Sequence, residues 1–175
     1  MKTTATLFLT GQTKKMAAAF VQYAVEYATN AHGEQKRKYT GQPYITHCIA
    51  VAETVARVTD DAEIIAAAVL HDTIEDTATT FDDILLTFGP RVARLVMEVT
   101  DASTFKDGNR AARKLIDLQR LAKSSADGAT IKLADIIDNS KDILAHDPNF
   151  AKVYLREKAA SLAVLQHGNK ALPEH

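Results

Sequence analysis

Tryptophan is absent from this chain of 175 residues, and cysteine occurs once, as Cys48. A single thiol excludes an internal disulfide, which suits a reducing compartment and makes the cytoplasm the default expectation. Cys48 sits in an apolar run and reads as a small core residue rather than a nucleophile. An excess of charge is missing too: 21 basic residues face 22 acidic ones, for a formal net charge of −1. That balance argues against a whole-protein field that attracts nucleic acid or an anionic membrane. A local basic patch remains compatible with it and would suit a small anionic ligand better than a polymer. No long apolar run opens the chain. Met1 to Thr10 holds one lysine and a short apolar stretch broken by threonine, too short for a secretory signal or a membrane span.

Helix breakers are scarce, with four prolines and seven glycines. Alanine and leucine are abundant and β-branched alternation is rare, so the expected fold is all-α and a single domain over residues 1–175, with its core at about 13–166. Phe20, Val21, Ala24, Val25 and Ala28 are spaced for one face of a helix over Thr13–Ala31. A polar, basic loop follows from His32 to Gln42, and Pro43 suits the first turn of a helix running through Val58. Asp60, with Glu63 three residues on, reads as the N-cap of a very apolar helix through Leu70. Thr80 and Asp83 repeat that signal for a short helix ending at Gly89-Pro90. Further helices are expected over Arg91–Thr100, Asn109–Ala122 and Ile131–Ala145, and from Asp147-Pro148 to Gln166. Asp101–Gly108 and Ser124–Gly128 separate them as loop and turn. Met16 and Met97 fit core positions, and the polar tail 167–175 is expected to fray.

The most unusual string is His71-Asp72-Thr73-Ile74-Glu75-Asp76, directly after the apolar helix. Four titratable groups at the end of a buried helix are costly unless something pairs with them. A divalent cation does so, because imidazole nitrogen and carboxylate oxygen both ligate metals. Glu75 and Asp76 lie about one turn beyond and can face a metal-bound water or its substrate. The plainer alternative is a helix end that simply turns polar. His47, in the first turns of the second helix, also suits a satisfied core or surface histidine. Asp135 and Asn139 share a face, and the flanking Leu133, Ala134, Ile136 and Ile137 favour a buried or cleft-facing position over a solvated one.

Taken together, Gly41-Gln42-Pro43-Tyr44-Ile45-Thr46-His47, Leu70-His71-Asp72-Thr73-Ile74-Glu75-Asp76-Thr77 and Lys132-Leu133-Ala134-Asp135 with Asn139 resemble the HD-type hydrolase domain of RelA/SpoT homologues. Phe88-Gly89, Leu95-Val96 and Val99-Thr100-Asp101 fit the same pattern. The likeness runs from about Ala17 to Ile143 and leaves no room for a synthetase domain, so the stand-alone small alarmone hydrolases, including metazoan SpoT homologues, are the nearest pattern. The resemblance implies an HD-domain helical bundle with one manganese(II) per chain, held by His47, His71, Asp72 and Asp135; zinc or iron suits the same ligands. It implies Glu75 and Asp76 as the catalytic acidic pair. The implied substrate is a purine nucleotide with a 3′-pyrophosphate, (p)ppGpp, cleaved to GDP or GTP plus pyrophosphate.

Two imidazoles and two carboxylates leave two positions of an octahedron, for water and for a phosphate oxygen. Glu75 and Asp76 would orient and deprotonate the water or protonate the leaving oxygen. Asn139 is neutral and can hold ribose or phosphate. Arg37 and Lys38, in the Lys36-Arg37-Lys38 run, can clamp phosphate or stack on a base, or be solvated surface. Tyr44 suits packing or a nucleotide contact. Lys132 suits a charge partner near the metal or a solvated side chain. Arg110, Arg113 and Lys114 read first as surface charge, with phosphate contacts as the alternative. The chain departs from the family at Ile136, Ile137 and Asp138, where a basic residue and a His or Tyr are common, at Ser140-Lys141-Asp142, and at Tyr39, where a basic residue is common. Those departures bear on base choice and keep adenine alarmones, (p)ppApp, as candidates. An NADPH 2′-phosphatase or another HD nucleotide phosphohydrolase would use the same metal. An inactive alarmone-binding regulatory module is the alternative from another class. Oligomeric state is not legible.

Overall fold

Sparse breakers and dense alanine and leucine produce helix after helix in the computed structural model, which describes residues 4–168, with side chains from residue 11 onward. The helices are α1 (Thr4–His32), α2 (Ile45–Ala56), α3 (Ala62–Leu70), α4 (Thr73–Asp76), α5 (Phe81–Phe88), α6 (Pro90–Val99), α7 (Arg110–Leu121), α8 (Ala126–His146) and α9 (Pro148–Val164), with one 3-10 turn at Phe105–Asp107. No strand occurs among the described residues; Lys36 and Pro43 form an isolated bridge across the α1–α2 loop. No helix among them is long and apolar enough to cross a membrane. Residues 169–175 of the tail expected to fray lie outside the described residues; His167, at its start, is tied by Nε2 to the Ser124 carbonyl at 2.9 Å.

The core is centred on α3, whose Ile64, Ala66, Ala67, Ala68, Val69 and Leu70 are all buried. α1 contributes Ala24 and Ala28, α2 contributes Val51 and Val55, α6 contributes Val92, Leu95 and Val96, and α8 contributes Ile131 and Ala134. Small alanines on α3 let neighbouring helices approach closely on several sides. Smaller clusters pin the far end: Leu121, Ala129, Ile136 and Leu165 in one, Ile143, Ala151 and Tyr154 in another. α8 therefore packs on two apolar sides, leaving a third for chemistry.

Local signals set most boundaries. Thr80 and Asp83 form the expected capping box, Asn109 caps α7 through Ala112 N–H, and Asp147 caps α9 ahead of Pro148. Gly89, at φ 88°, ends α5 and opens α6 in one residue, a conformation that favours glycine. Several expectations are corrected. Asp61, not Asp60, caps α3, accepting from Glu63 and Ile64 N–H, while Glu63 turns to Arg91. α2 starts at Ile45 because Pro43 is held in the bridge to Lys36. α1 reaches back to Thr4 and α8 starts at Ala126, capped by Ser125. Met16 is 69% exposed rather than in the core, and Met97 is half-buried at a cavity wall.

Candidate metal centre

α3 does not run on into the acidic string. It ends at Leu70, His71 follows as its cap, and Asp72 sits at φ −98°, ψ −4° before the single turn of α4. This is the sparsely allowed bridge region. The break frees His71 and Asp72 from the 100° divergence of consecutive helical residues. Carbonyls orphaned at the end of α3 are satisfied by side chains: Thr73 Oγ1 donates to Leu70 O at 2.7 Å, and His71 Nδ1 donates to Ala68 O at 2.9 Å. That second bond fixes the tautomer, leaving the His71 Nε2 lone pair free.

α2 and α8 supply the rest. His47 donates from Nδ1 to Asp138 Oδ2 at 2.7 Å, so its Nε2 also carries a free lone pair. His47 Nε2 lies 3.3 Å from Asp135 Oδ1 and 3.5 Å from Asp72 Oδ2. His71 Nε2 lies 3.0 Å from Asp72 Oδ2 and 3.8 Å from Asp135 Oδ1. Neighbouring ligands around an octahedral ion with bonds of roughly 2.1 Å stand about 3 Å apart, so these four atoms span the edges of such a sphere. Both Nε2 atoms are buried with no hydrogen-bond partner. Two orphaned imidazole nitrogens beside two carboxylates are costly alone and fitted to a divalent cation. Ligand atoms of His47, His71 and Asp72 all lie within 4.8 Å of one another.

Without an ion, the surrounding carboxylates favour a proton on each imidazole, which a metal would have to displace. Burial disfavours imidazolium, but Asp135, Asp138 and Asp72 outweigh it and raise the His47 pKa from 6.5 to about 11. Asp72 and Asp135 likewise raise His71 to about 9. Burial pushes the Asp135 carboxyl up, while Lys132 and the two histidines hold it well below the usual carboxylate range. Asp72 is held low by His71 and His47 in the same way. Lys132 Nζ is 2.9 Å from Asp135 Oδ2 and buried; Asp135, Asp72 and Asp101 keep it protonated against burial. Burial and Asp72 raise the Tyr44 pKa, so its hydroxyl stays a donor, to Asp72 Oδ2 at 2.6 Å. Asn139 Nδ2 donates to Asp135 Oδ1.

Glu75 and Asp76 stand on α4, not on a continuation of α3, and both are exposed. Glu75 Oε2 accepts the Asp101 N–H at 3.2 Å. Surrounding protein and the Asp101 carboxylate raise its pKa. Asp76 accepts from Gln35 Nε2 at 3.0 Å. A cavity of about 500 Å³ opens beside Glu75, lined also by Asp101, Arg110, Arg113 and Lys114. A second, of about 270 Å³, shares Asp101, Lys114 and Asp117 with it and reaches Lys132 and Lys158. The α7 cations first read as surface charge thus face the cleft. Arg110 is paired with Glu157, whereas the Arg113 guanidinium lies 4.6 Å from the Phe105 ring centre with Nε buried and unpartnered.

The remaining candidates are placed differently. Lys38 Nζ lies over the Tyr39 and Phe150 rings. Arg37 is ion-paired to Asp138 and Asp142. Cys48 is buried in the core beside His32. Sequence reasoning missed Asp138, Asp101 and Lys158. Asp138 lies three residues after Asp135 in an apolar stretch, which is a signal for a shared helical face; Asp101 closes the Val99-Thr100-Asp101 string that fits the family pattern, whereas Lys158 carries no such signal.

A family model described as HD domain matches residues 24–163. The guanosine-3′,5′-bis(diphosphate) 3′-pyrophosphohydrolase MESH1 of Homo sapiens is 37% identical over 166 residues, covering 90% of this chain and 90% of that protein. The guanosine-3′,5′-bis(diphosphate) 3′-pyrophosphohydrolase of Aquifex aeolicus is 40% identical over 147 residues, covering 84% of this chain, but the chain spans only 21% of that protein's length. A solved structure described as a metazoan ortholog of SpoT that hydrolyzes ppGpp superposes with a TM-score of 0.78 at 34% identity, covering 88% of this chain and 89% of that one. The helical order, the His-Asp junction and these likenesses agree: the chain belongs to the HD-domain family, in its branch of SpoT-like pyrophosphohydrolases.

Proposed function

We propose that the protein hydrolyses the 3′-pyrophosphate of guanosine alarmones, yielding GDP or GTP and pyrophosphate. The observation that carries the reading is the pair of buried, unpartnered His47 and His71 Nε2 atoms facing Asp72 and Asp135; Glu75, three residues on from Asp72, lines a cleft that also holds cations. His47, His71, Asp72 and Asp135 would hold one divalent ion, manganese(II) being the one that the family resemblance implies, with zinc or iron suited to the same ligands. When bound, it supplies Lewis-acid polarisation of the phosphoryl group and of the attacking water.

The chain's own residues do the rest. Lys132 and Asn139 fix Asp135, and Tyr44 fixes Asp72, so neither carboxylate needs to reorganise. Glu75 is the proton-handling group: its raised pKa moves it towards the range in which a carboxylate exchanges protons efficiently. In the hydrolysis the bond between phosphorus and the 3′-oxygen breaks, the water oxygen enters the pyrophosphate, and a proton reaches the 3′-oxygen. Asp76, tethered by Gln35, orients the water. Arg113 and Lys114, on the far wall of the cavity, face the polyphosphate.

The test is pyrophosphate release from guanosine and adenosine 3′-pyrophosphate nucleotides side by side, with manganese and with chelator. Chelator-sensitive pyrophosphate release is the expected outcome, and the ratio of the two rates reads base preference. Orthophosphate release from NADPH with neither alarmone cleaved would transfer the site to a 2′-phosphatase. Nucleotide binding without turnover in metal-loaded protein would make it a regulatory module.

A further inference from the structure

Arg37 stands in the loop joining α1 to α2, yet its guanidinium reaches across the molecule to α8. Nη2 is 2.7 Å from Asp138 Oδ2 and 2.9 Å from Asp142 Oδ2, with the Arg37 side chain only 11% exposed. The same Asp138 oxygen accepts the His47 Nδ1–H at 2.7 Å. An ionised carboxylate oxygen has lone pairs for both donors. Asp138 and Asp142 are one turn apart and of like charge, an arrangement that repels unless a cation bridges it; Arg37 is that bridge. The bond from His47 decides which of its nitrogens carries the proton and where Nε2 points.

We propose that Asp138 is a positioning residue for His47, and that Arg37 and Asp142 hold Asp138 in place, so that the α1–α2 loop is fastened to the metal centre instead of presenting Arg37 to the nucleotide. The inference rests on the reading of His47 as a metal ligand. It assigns a function to a position where the chain departs from the family pattern. It also separates two roles for Arg37. A substrate clamp, when removed, raises KM and leaves metal affinity alone. A buttress, when removed, loosens the metal.

The experiment measures manganese dissociation constants, from the free-ion electron paramagnetic resonance signal, for the full chain and for D138N, R37Q, D142N and H71A. Helix content by circular dichroism accompanies each. Histidine side-chain nitrogen–proton correlation spectra of the zinc-loaded protein read the tautomer of His47. Outer partners of metal-bound histidines typically govern affinity by about 10–100-fold, so D138N is expected to weaken manganese by that amount and to lose the Nδ1-protonated signature. R37Q is expected to weaken it by about threefold or more, with substrate KM unchanged once manganese is saturating. Should D138N fail to fold, R37Q decides, because it leaves the carboxylate in place. D138N and R37Q both within about twofold of wild type, with H71A unable to bind, would overturn the positioning role and leave the metal reading standing. A wild-type protein that binds no manganese would overturn the metal reading, and this inference with it.

Discussion

Loading the metal should drive protons off the protein, and the structure sets the scale. In the metal-free cluster, carboxylates raise the pKa of His71 from 6.5 to about 9 and that of His47 to about 11. For His71 alone this is about 3 kcal/mol of preference for imidazolium, at roughly 1.4 kcal/mol per pH unit. A histidine with a raised folded-state pKa stabilises the metal-free fold fully below pH 6.5 and loses that contribution as pH climbs through 9. Metal binding has the opposite slope, because it needs neutral imidazoles. The ring centres are 5.1 Å apart, so two full imidazolium charges repel each other, and about one to two protons should leave per ion bound at pH 7. Apparent affinity should then rise about ten- to a hundredfold per pH unit between pH 6 and 8. Calorimetric titration with manganese in buffers of different ionisation enthalpy counts the protons directly. In a thermal melt at a hundredfold excess over Kd, the ion adds about 2.7 kcal/mol, or roughly 5–10 °C for a chain of this size. No proton release, with affinity flat from pH 6 to 8, would refute the assignment of both imidazoles as ligands.

Other perturbations follow from the same geometry. Glu75→Gln should reduce kcat by about 10²–10⁴-fold with manganese affinity nearly unchanged, whereas His71→Ala or Asp72→Ala should abolish turnover together with the heat of manganese binding. Gly128→Ala should cost about 1–2 kcal/mol in urea unfolding. Its Cβ would clash with Glu98 Oε2, the oxygen that accepts from Ser125 N and Oγ at the start of α8. Leu70→Ala, fully buried immediately before His71, should cost about 2–5 kcal/mol and lower the unfolding midpoint accordingly.

Capping chemistry and breakers are local, so Thr80–Asp83, Gly89-Pro90 and Asp147-Pro148 could be read from the chain without its fold. The four residues now clustered around the orphaned nitrogens were legible because His-Asp after an apolar helix is chemically conspicuous and the matching strings occur in family order. Other features depend on three-dimensional placement. The kink at Asp72 leaves no trace in hydrophobic periodicity, since His71 and Asp72 are polar whether the helix continues or stops. The Lys36-Arg37-Lys38 run reads as a phosphate clamp or as solvated charge, because the partners of Arg37, Asp138 and Asp142, come from α8 about a hundred residues on. Met16 has core chemistry, but the face of α1 that meets α3 is set by Ala24 and Ala28, and Met16 falls off it.

α8 shows why one helix can carry so many charges in a small core. Ile131 and Ala134 face the main cluster, and Ala129 and Ile136 the second. With two sides buried in apolar contacts, the rotation of the helix is fixed before any polar bond forms. The remaining side then repeats at helical spacing: Lys132 to Asp135 at three, Asp135 to Asn139 at four, Asp138 to Asp142 at four. A small rotation of α8 would draw Asp135 away from both imidazoles and Asp138 away from His47 Nδ1 together. Apolar packing of this helix therefore sets the donor–donor distances at the candidate metal centre. A cavity-forming change at Ile136, which packs in the second cluster on a different face of α8 from the neighbouring Asp135, should weaken manganese binding as well as the fold, whereas an equal loss of stability from Ile84 in α5 should leave the metal dissociation constant of the folded protein unchanged.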